Sequence, residues 1–271
     1  MNWFRVTLQG LPAGREQVWG LLYKFDCVGL EETDGGSCHA YFDAGVDTGQ
    51  LLQSLRLNPL VGSAEGSWIE SENWHARWME SYGSFRVGPF FIRPSWKSDL
   101  PPPQAIEIVM DPQSAFGTGT HATTQLCLKS LADLIPGARA LTDVGCGSGI
   151  LSIAARKLSP DIKLLALDLD WEACRVCRDN ARINGVHVDI LCGPFDATRH
   201  NFDLIVANLQ LDELVRLRDN FHERTSAGAQ LLMSGVLTEQ AAELRSAYES
   251  GFSLLQQYEQ ENWTACLYQR Q

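Results

Sequence analysis

The sequence lacks any apolar run long enough to cross a membrane. A spanning helix needs about 18 or more consecutive apolar residues, and charged or polar residues interrupt every stretch of that length. The first residues, Met1 to Leu11, also lack the apolar segment of a secretory signal. We therefore expect no membrane partner. The hydrophobic fraction of 45% is sufficient for a folded core.

Basic residues are also scarce. The 271-residue chain has 22 Lys and Arg against 33 Asp and Glu, which gives a formal net charge of −11. An acidic surface repels phosphate backbones, so we expect no direct nucleic-acid specificity. The same charge is compatible with a lysine-rich protein segment as a partner.

The eight cysteines do not have the spacing of a metal site. Cys174 and Cys177 form a CxxC, but no second pair or nearby histidine accompanies them. On a helix these two residues lie one turn apart. We therefore predict no metal site, and scattered reduced thiols of the kind found in the cytoplasm.

The glycine-rich stretch that follows residues 140–144 matches neither common nucleotide-binding pattern. Dinucleotide folds show GxGxxG and P-loops show GxxxxGK[ST], whereas Gly145, Gly147 and Gly149 occupy alternate positions. An apolar strand precedes the glycines and a helix follows them. The pattern predicts a ligand at the carboxyl end of a buried strand, with Asp143 as a further candidate contact. A simple tight turn is the alternative.

Acidic residues also follow the next two predicted strands. The apolar strand from Lys163 ends at Asp168, about twenty positions after the glycine loop, where a carboxylate can accept hydrogen bonds from ribose hydroxyls. The alternative for Asp168 is a helix N-cap before Trp171. Asp196 follows the third strand, where it could contact an adenine edge or be an ordinary loop residue.

Strands and helices alternate regularly from about residue 125. This order predicts an α/β fold with a mostly parallel sheet and helices on both faces. The last two strands, near 253–259 and 263–269, have no helix between them, which predicts a terminal antiparallel hairpin. Seven strands with such a hairpin are typical of a Rossmann-like methyltransferase sheet and differ from a nicotinamide-binding sheet.

The first 57 residues have a different organisation. Strands at 3–8 and 38–43 and helices at 14–25 and 46–55 predict a small α+β domain of ferredoxin-like type. Nothing in residues 1–57 resembles a catalytic motif. Residues 58–70 contain Gly, Ser and Asn and predict a linker, which separates this unit from residues 71–271.

The third segment, residues 71–271, is expected to begin with a short helix over 71–79. Its Trp74 and Trp78 lie one turn apart, which favours packing on one helix face over a ligand role. Residues 85–94 and 105–110 predict strands of a hairpin or an edge sheet.

The block from Asp111 to Leu128 contains AFGTGTHATT. This block resembles the signature of the ribosomal protein L-eleven methyltransferase (PrmA) family. The glycine loop, Asp168 and the segment from Val206 to Leu209 match further family blocks in order and spacing. The resemblance covers residues 71–271 closely, and it covers the amino-terminal unit by position and size.

The resemblance implies a cytoplasmic, S-adenosylmethionine-dependent N-methyltransferase that acts on amino groups of a large-subunit ribosomal protein. It further implies that residues 1–57 bind this protein substrate and that residues 71–271 form the catalytic domain. The signature and the later blocks would contact the cofactor through Phe116, Gly117, Thr118, Thr124, Gly145, Asp168 and Asn208, the last of these beside the transferred methyl.

Methyl transfer to an amine requires the neutral amine. A lysine with a pKa near ~10.4 must first lose a proton, and desolvation beside a cation lowers its pKa. The Asn208 amide, or the backbone carbonyl of Leu209, could then accept an amine N–H and direct the lone pair. An ordinary strand-end turn residue is the alternative for Asn208. We expect His121 to hold the signature loop over the cofactor, and a general base is the alternative.

Other functions stay open from the sequence. A related methyltransferase could act on lysines of another protein or on a small amine. A non-catalytic cofactor-binding scaffold and a nicotinamide-dependent oxidoreductase fit the motifs less well.

Overall fold

A computed structural model describes residues 2–11, 16–33, 37–70, 82–111 and 117–271. The chain divides into two compact units, Met1–Tyr82 and Gly83–Gln271. The helix predicted over 71–79, with its two tryptophans, lies outside the described residues, as does Phe116. Within the described part of the chain, no helix combines the length and apolar character needed to span a bilayer.

In its described residues, the first unit is a four-stranded antiparallel sheet with two helices. Its strands are β1 (Asn2–Gln9), β2 (Gly29–Thr33), β3 (Ser37–Phe42) and β4 (Ser63–Glu70), in the spatial order β2-β3-β1-β4. Its helices are α1 (Glu16–Tyr23) and α2 (Thr48–Arg56). Alternate residues of β1, including Val6 and Leu8, are fully buried and share a core with Leu22 and Leu51 of the helices.

The structure corrects the prediction of a linker over residues 58–70. Strand β4 pairs with β1 along its whole length, from Asn2↔Glu70 to Gln9↔Ser63. The Gly and Ser content that suggested a loop is overridden by this long-range pairing. Gly66 has a packing reason, because a Cβ there would lie 2.2 Å from Cζ of the Phe4 ring.

The second unit contains the predicted seven-stranded sheet. Its spatial order is β10-β9-β8-β11-β12-β14-β13. The first five strands in this order are parallel neighbours, and β14 is antiparallel to both β12 and β13. The strands are β8 (Ala140–Val144), β9 (Lys163–Asp168), β10 (Asp189–Cys192), β11 (Phe202–Asn208), β12 (Thr225–Leu237), β13 (Phe252–Gln260) and β14 (Trp263–Arg270). The fold class and the terminal hairpin predicted from the sequence are confirmed.

Helices cover both faces of this sheet. Along β11, Leu204 and Val206 belong to one buried cluster, and Ile205 and Ala207 to the other. This explains the nearly continuous apolar sequence of the strand, since neither face contacts water. The helices are α3 (Ala122–Leu134), α4 (Ile150–Leu158), α5 (Trp171–Ile183), α6 (Leu211–Glu223) and α7 (Ala241–Tyr248).

A separate three-stranded sheet precedes this fold. It comprises β5 (Phe85–Val87), β6 (Phe90–Pro94) and β7 (Ile106–Met110). Strand β6 is antiparallel to β5, as a hairpin requires, but parallel to β7. Buried side chains of β6 and β7 join the cluster formed by α3, α4 and α5, which attaches this sheet to the main fold.

Candidate active site

A cleft opens at the carboxyl ends of the central strands. The helices after β8 and β11 pack on opposite faces of the sheet, and this divergence leaves a crevice between the two strand ends. The cavity there has a volume of about 470 Å³, within the range of small-molecule sites. Its lining includes Val144, Asp168, Leu169, Asp196, Leu209 and Leu217.

The glycine loop turns sharply between β8 and α4. Gly145, Gly147 and Gly149 have φ angles of 73°, 50° and 81°, a region that favours glycine. Two of them are also required by packing. A Cβ on Gly145 would lie 2.4 Å from Cδ2 of Leu209, and one on Gly149 would lie 2.5 Å from Sγ of Cys177.

Asp168 stands at the tip of β9 and is half-buried. Its Oδ2 accepts a hydrogen bond from the Gly147 N–H at 3.0 Å, and its Oδ1 accepts one from the Asp170 N–H at 3.0 Å. A carboxylate can accept about four hydrogen bonds, so acceptor capacity remains at the cleft. The N-cap of α5 is Asp170, which accepts from the Glu172 N–H, and the alternative role of Asp168 as that cap is wrong.

Asp143 lies beneath the loop, and the structure does not bring it to the lining of the cleft. The side chain is 1% exposed, and Oδ2 accepts from the Ser152 N–H at 3.1 Å and the Ser152 hydroxyl at 2.6 Å. Burial raises the pKa of this carboxyl to about 6, against the lowering effect of the Ser152 hydrogen bonds. The contacts point to a role in fixing the first turn of α4.

The signature segment docks on the glycine loop. The Ser148 hydroxyl donates a hydrogen bond to the Gly117 carbonyl at 2.6 Å. Gly119 has φ 89°, and a Cβ there would lie 2.9 Å from Cδ1 of Ile150. The hydroxyls of Thr118 and Thr120 are 2.9 Å apart. The two motifs recognised separately in the sequence therefore form one structure.

His121 caps the helix that follows the signature. Its Nδ1 accepts from the Thr123 N–H at 3.4 Å and lies 2.8 Å from the Thr123 hydroxyl. Its ring packs edge-on against Trp263, with centroids 4.8 Å apart. These contacts support the structural role predicted for His121.

Asn208 is held at the end of β11. Its Nδ2 donates to the hydroxyl of Thr124, which is 1% exposed, at 3.3 Å. This bond leaves Oδ1 as the acceptor atom of the amide. The cavity beside Asp168 is lined by Leu209 and not by Asn208, and the role of Asn208 as an amine acceptor stays a prediction.

The carbonyl of Leu209 is less well placed for that chemistry. The Leu209 N–H donates to the Ser234 carbonyl at 3.0 Å, and a Cβ on Gly235 would lie 2.3 Å from the Leu209 oxygen. The carbonyl thus packs closely against Gly235, which has φ 91° and lies at a break in the strand register. Sequence reasoning missed this glycine, although an isolated glycine in a strand signals a bulge or close approach.

Asp196 lies in the turn after β10. It belongs to a short 3₁₀ helix, Phe195–Ala197, and its exposed side chain lines the same cavity as Asp168. Asp170 and Glu213 also line this cavity, so four carboxylates border the cleft, and Leu169 and Leu217 contribute apolar lining. A nucleoside, with polar hydroxyls and an apolar base, is a ligand of suitable chemistry for this lining.

The sheet order, the glycine loop and the acidic end of β9 together define a methyltransferase of the seven-stranded class. A family model described as "Ribosomal protein L11 methyltransferase (PrmA)" matches residues 2–271. The chain therefore belongs to the ribosomal protein L11 methyltransferase family, as the signature indicated.

Individual relatives agree with this assignment. A "Ribosomal protein L11 methyltransferase" of Geobacter sulfurreducens is 34% identical over 259 residues, covering 91% of this chain and 86% of that protein. One of Serratia proteamaculans is 37% identical over 270 residues, covering 97% of this chain and 86% of that protein. The solved structure of a ribosomal protein L11 methylase from Lactobacillus delbrueckii subsp. bulgaricus is 29% identical with a TM-score of 0.65, and the match covers 70% of this chain and 99% of that one.

Proposed function

We propose that this protein transfers methyl groups from S-adenosylmethionine to amino groups of ribosomal protein L11. The observation that carries the proposal is the hydrogen bond from Ser148 to Gly117, which joins the family signature to the glycine loop. The same signature leads into α3, where Thr124 holds Asn208. Cofactor cradle and proposed amine acceptor are thereby parts of one hydrogen-bonded unit.

The residues of the cleft fit S-adenosylmethionine. Asp168 has acceptor capacity left for the ribose hydroxyls, and Asp196, which lines the same cavity, is proposed to contact the adenine edge. Leu169 and Leu217 supply apolar walls. Gly145 and Gly147 have positive φ angles and no side chain, so that the backbone of the loop can approach the cofactor closely. Phe116, Gly117, Thr118 and Gly149 are proposed to complete the contacts.

The chain's own residues mainly position the amine. The bound cofactor supplies the methyl group already activated on a sulfonium, so little acid–base chemistry is required. The cleft desolvates the incoming lysine or N-terminal amine, which favours its neutral form. Asn208 accepts one N–H through Oδ1 and directs the nitrogen lone pair towards the methyl.

The amino-terminal unit is proposed to recruit the protein substrate. The helices cover one face of its sheet, and an apolar depression of about 250 Å³ lies on the unit, lined by Trp3, Val28, Gly29 and Tyr41. Val28 is 53% exposed. An exposed apolar surface of this kind is suited to protein recognition.

Labelling a ribosomal extract tests the overall proposal. The protein is incubated with radiolabelled S-adenosylmethionine and extract, and the labelled band is identified by mass spectrometry. We expect label on amino groups of L11 with the wild-type protein and a loss of at least about 100-fold with Asn208→Ala, whose cofactor affinity is measured alongside. Label on another protein or on small amines would favour the alternative substrates, and absence of S-adenosylmethionine binding would refute the proposal.

A paired substitution tests recruitment. Val28→Glu places a charge in the apolar depression and should raise KM for L11 by at least about tenfold, without changing cofactor affinity. Leu57→Glu is the matched control, because Leu57 is 75% exposed in the same unit and does not line the depression. Equal KM values for wild type and Val28→Glu would rule out recruitment through this surface.

A further inference from the structure

A fully buried amide joins the glycine loop to the start of the signature. Asn180 of α5 is 0% exposed, and both ends of its side chain are engaged. Oδ1 accepts a hydrogen bond from the Asp111 N–H at 2.8 Å, and Nδ2 donates to the Ser148 carbonyl at 3.0 Å. One side chain thus holds the backbone at two places that are distant in sequence.

Ser148 extends the connection to the other side of the signature. It is also 0% exposed, and its hydroxyl holds the Gly117 carbonyl at 2.6 Å. Asp111 and Gly117 are therefore both fastened to the same point beside the glycine loop. From Gly117 the chain runs to Thr124, whose hydroxyl accepts from Asn208.

We infer that Asn180, acting with Ser148, is a positioning residue for methyl transfer. Its amide fixes the position of the signature segment against the glycine loop. Through the contacts of Gly117 and Thr124, this also fixes the position of Asn208 relative to the cofactor. A buried amide with both ends engaged favours one arrangement, because any displacement leaves buried polar groups without partners. This inference rests on the proposed function and adds a residue outside the cleft to it.

Asn184 provides a matched comparison one turn further along α5. Its Oδ1 accepts from the Val109 N–H at 2.9 Å, and its Nδ2 donates to the Val109 carbonyl at 2.6 Å and to the backbone carbonyl of Asn180 at 2.9 Å. Asn184 therefore fastens β7 to the same helix in a similar way, but its hydrogen bonds do not reach the glycine loop or the signature. The variant Asn184→Ala therefore measures how much stability is lost when an amide with a purely structural role is removed.

The test compares Asn180→Ala, Ser148→Ala and Asn184→Ala with the wild-type protein. Affinity for S-adenosylhomocysteine is measured by isothermal titration, together with kcat, KM for L11 and the melting temperature. We expect Asn180→Ala and Ser148→Ala each to weaken S-adenosylhomocysteine binding or lower kcat by at least about tenfold, with KM for L11 unchanged. Asn184→Ala should lower the melting temperature without either loss.

The double variant and the wild type complete the design. Because both residues act on one connection, Asn180→Ala with Ser148→Ala should lose much less than the product of the single losses. Should Asn180→Ala fail to fold, Ser148→Ala, which removes one oxygen atom, decides the question through S-adenosylhomocysteine affinity and kcat. The inference would be overturned if folded Asn180→Ala or Ser148→Ala kept the S-adenosylhomocysteine affinity and kcat of the wild type. It would also be overturned if Asn184→Ala lost as much affinity or kcat as they do. Wild-type labelling of a protein other than L11 would refute the proposed substrate, while the affinity comparison would still judge the role of Asn180.

Discussion

Replacing Asp143 with asparagine should stabilise the protein above pH 6 and should give no gain below about pH 4. Burial raises the pKa of this carboxyl from 3.8 to about 6. A group whose pKa is raised by folding contributes stability that is full below its unfolded-state pKa and is lost as the pH rises through its folded-state pKa. At neutral pH the folded protein therefore bears the cost of a buried charge.

The magnitude follows from that pKa change. A rise from 3.8 to about 6 corresponds to about 3 kcal/mol of unfolding free energy at neutral pH. Asparagine carries no charge, and its Oδ1 can still accept from the N–H and the hydroxyl of Ser152. Because hydrogen bonds to a neutral acceptor are weaker, we expect a net gain of about 1–3 kcal/mol at pH 7.5.

Urea unfolding measured at intervals from pH 4 to pH 8 provides the assay. The difference in unfolding free energy between Asp143→Asn and wild type should increase with pH, mainly between pH 4 and pH 6. Asp203→Asn serves as control, since Asp203 accepts N–H bonds at the other end of β8 but is 39% exposed. A difference that is independent of pH, or a variant less stable than wild type at pH 7.5, would refute the reasoning.

Three further predictions concern the cleft and the core. Asp168→Ala should weaken S-adenosylmethionine binding by about 1–3 kcal/mol, measured by isothermal titration, and unchanged affinity would exclude the ribose role. Gly145→Ala should abolish cofactor binding and lower the melting temperature, because its Cβ would lie 2.4 Å from Leu209 at a φ of 73°; a wild-type melting curve would contradict this. Tyr248→Phe removes a buried hydroxyl that donates to the Leu214 carbonyl at 2.7 Å and should cost about 1–2 kcal/mol in urea unfolding, whereas equal stability would show that this hydrogen bond has no net value.

The order of elements in the second unit was predictable because local pattern carries it. Strands covered on both faces have nearly continuous apolar sequence, and amphipathic helices separate them with turn residues between. The hairpin of β13 and β14, which has no helix between its strands, distinguished this sheet from a nicotinamide-binding one. The glycine loop and Asp168 were recognisable for the same reason. Each lies at the end of an apolar strand, and the spacing between them along the chain is typical of a nucleotide-binding fold.

Strand β4 was missed because its pairing partner is remote in sequence. The local sequence of residues 63–70 does not show that β1 has an edge available for pairing. Their Gly and Ser content by itself favours a loop. Gly66 acquires its meaning only from the Phe4 ring across the pair.

The sequence by itself determined the class of fold, the glycine loop and the family signature, because these depend on periodicity and on short motifs. Only the tertiary structure decided which side chains face the cleft. Asp143 and Asp168 are both acidic residues at or near strand ends, yet one is buried against Ser152 and the other borders the cavity. Asn180 carries no motif of its own, and its position between Asp111 and Ser148 exists only once the helix packs beside the glycine loop. Such roles depend on contacts between distant segments, which spacing along the chain does not encode.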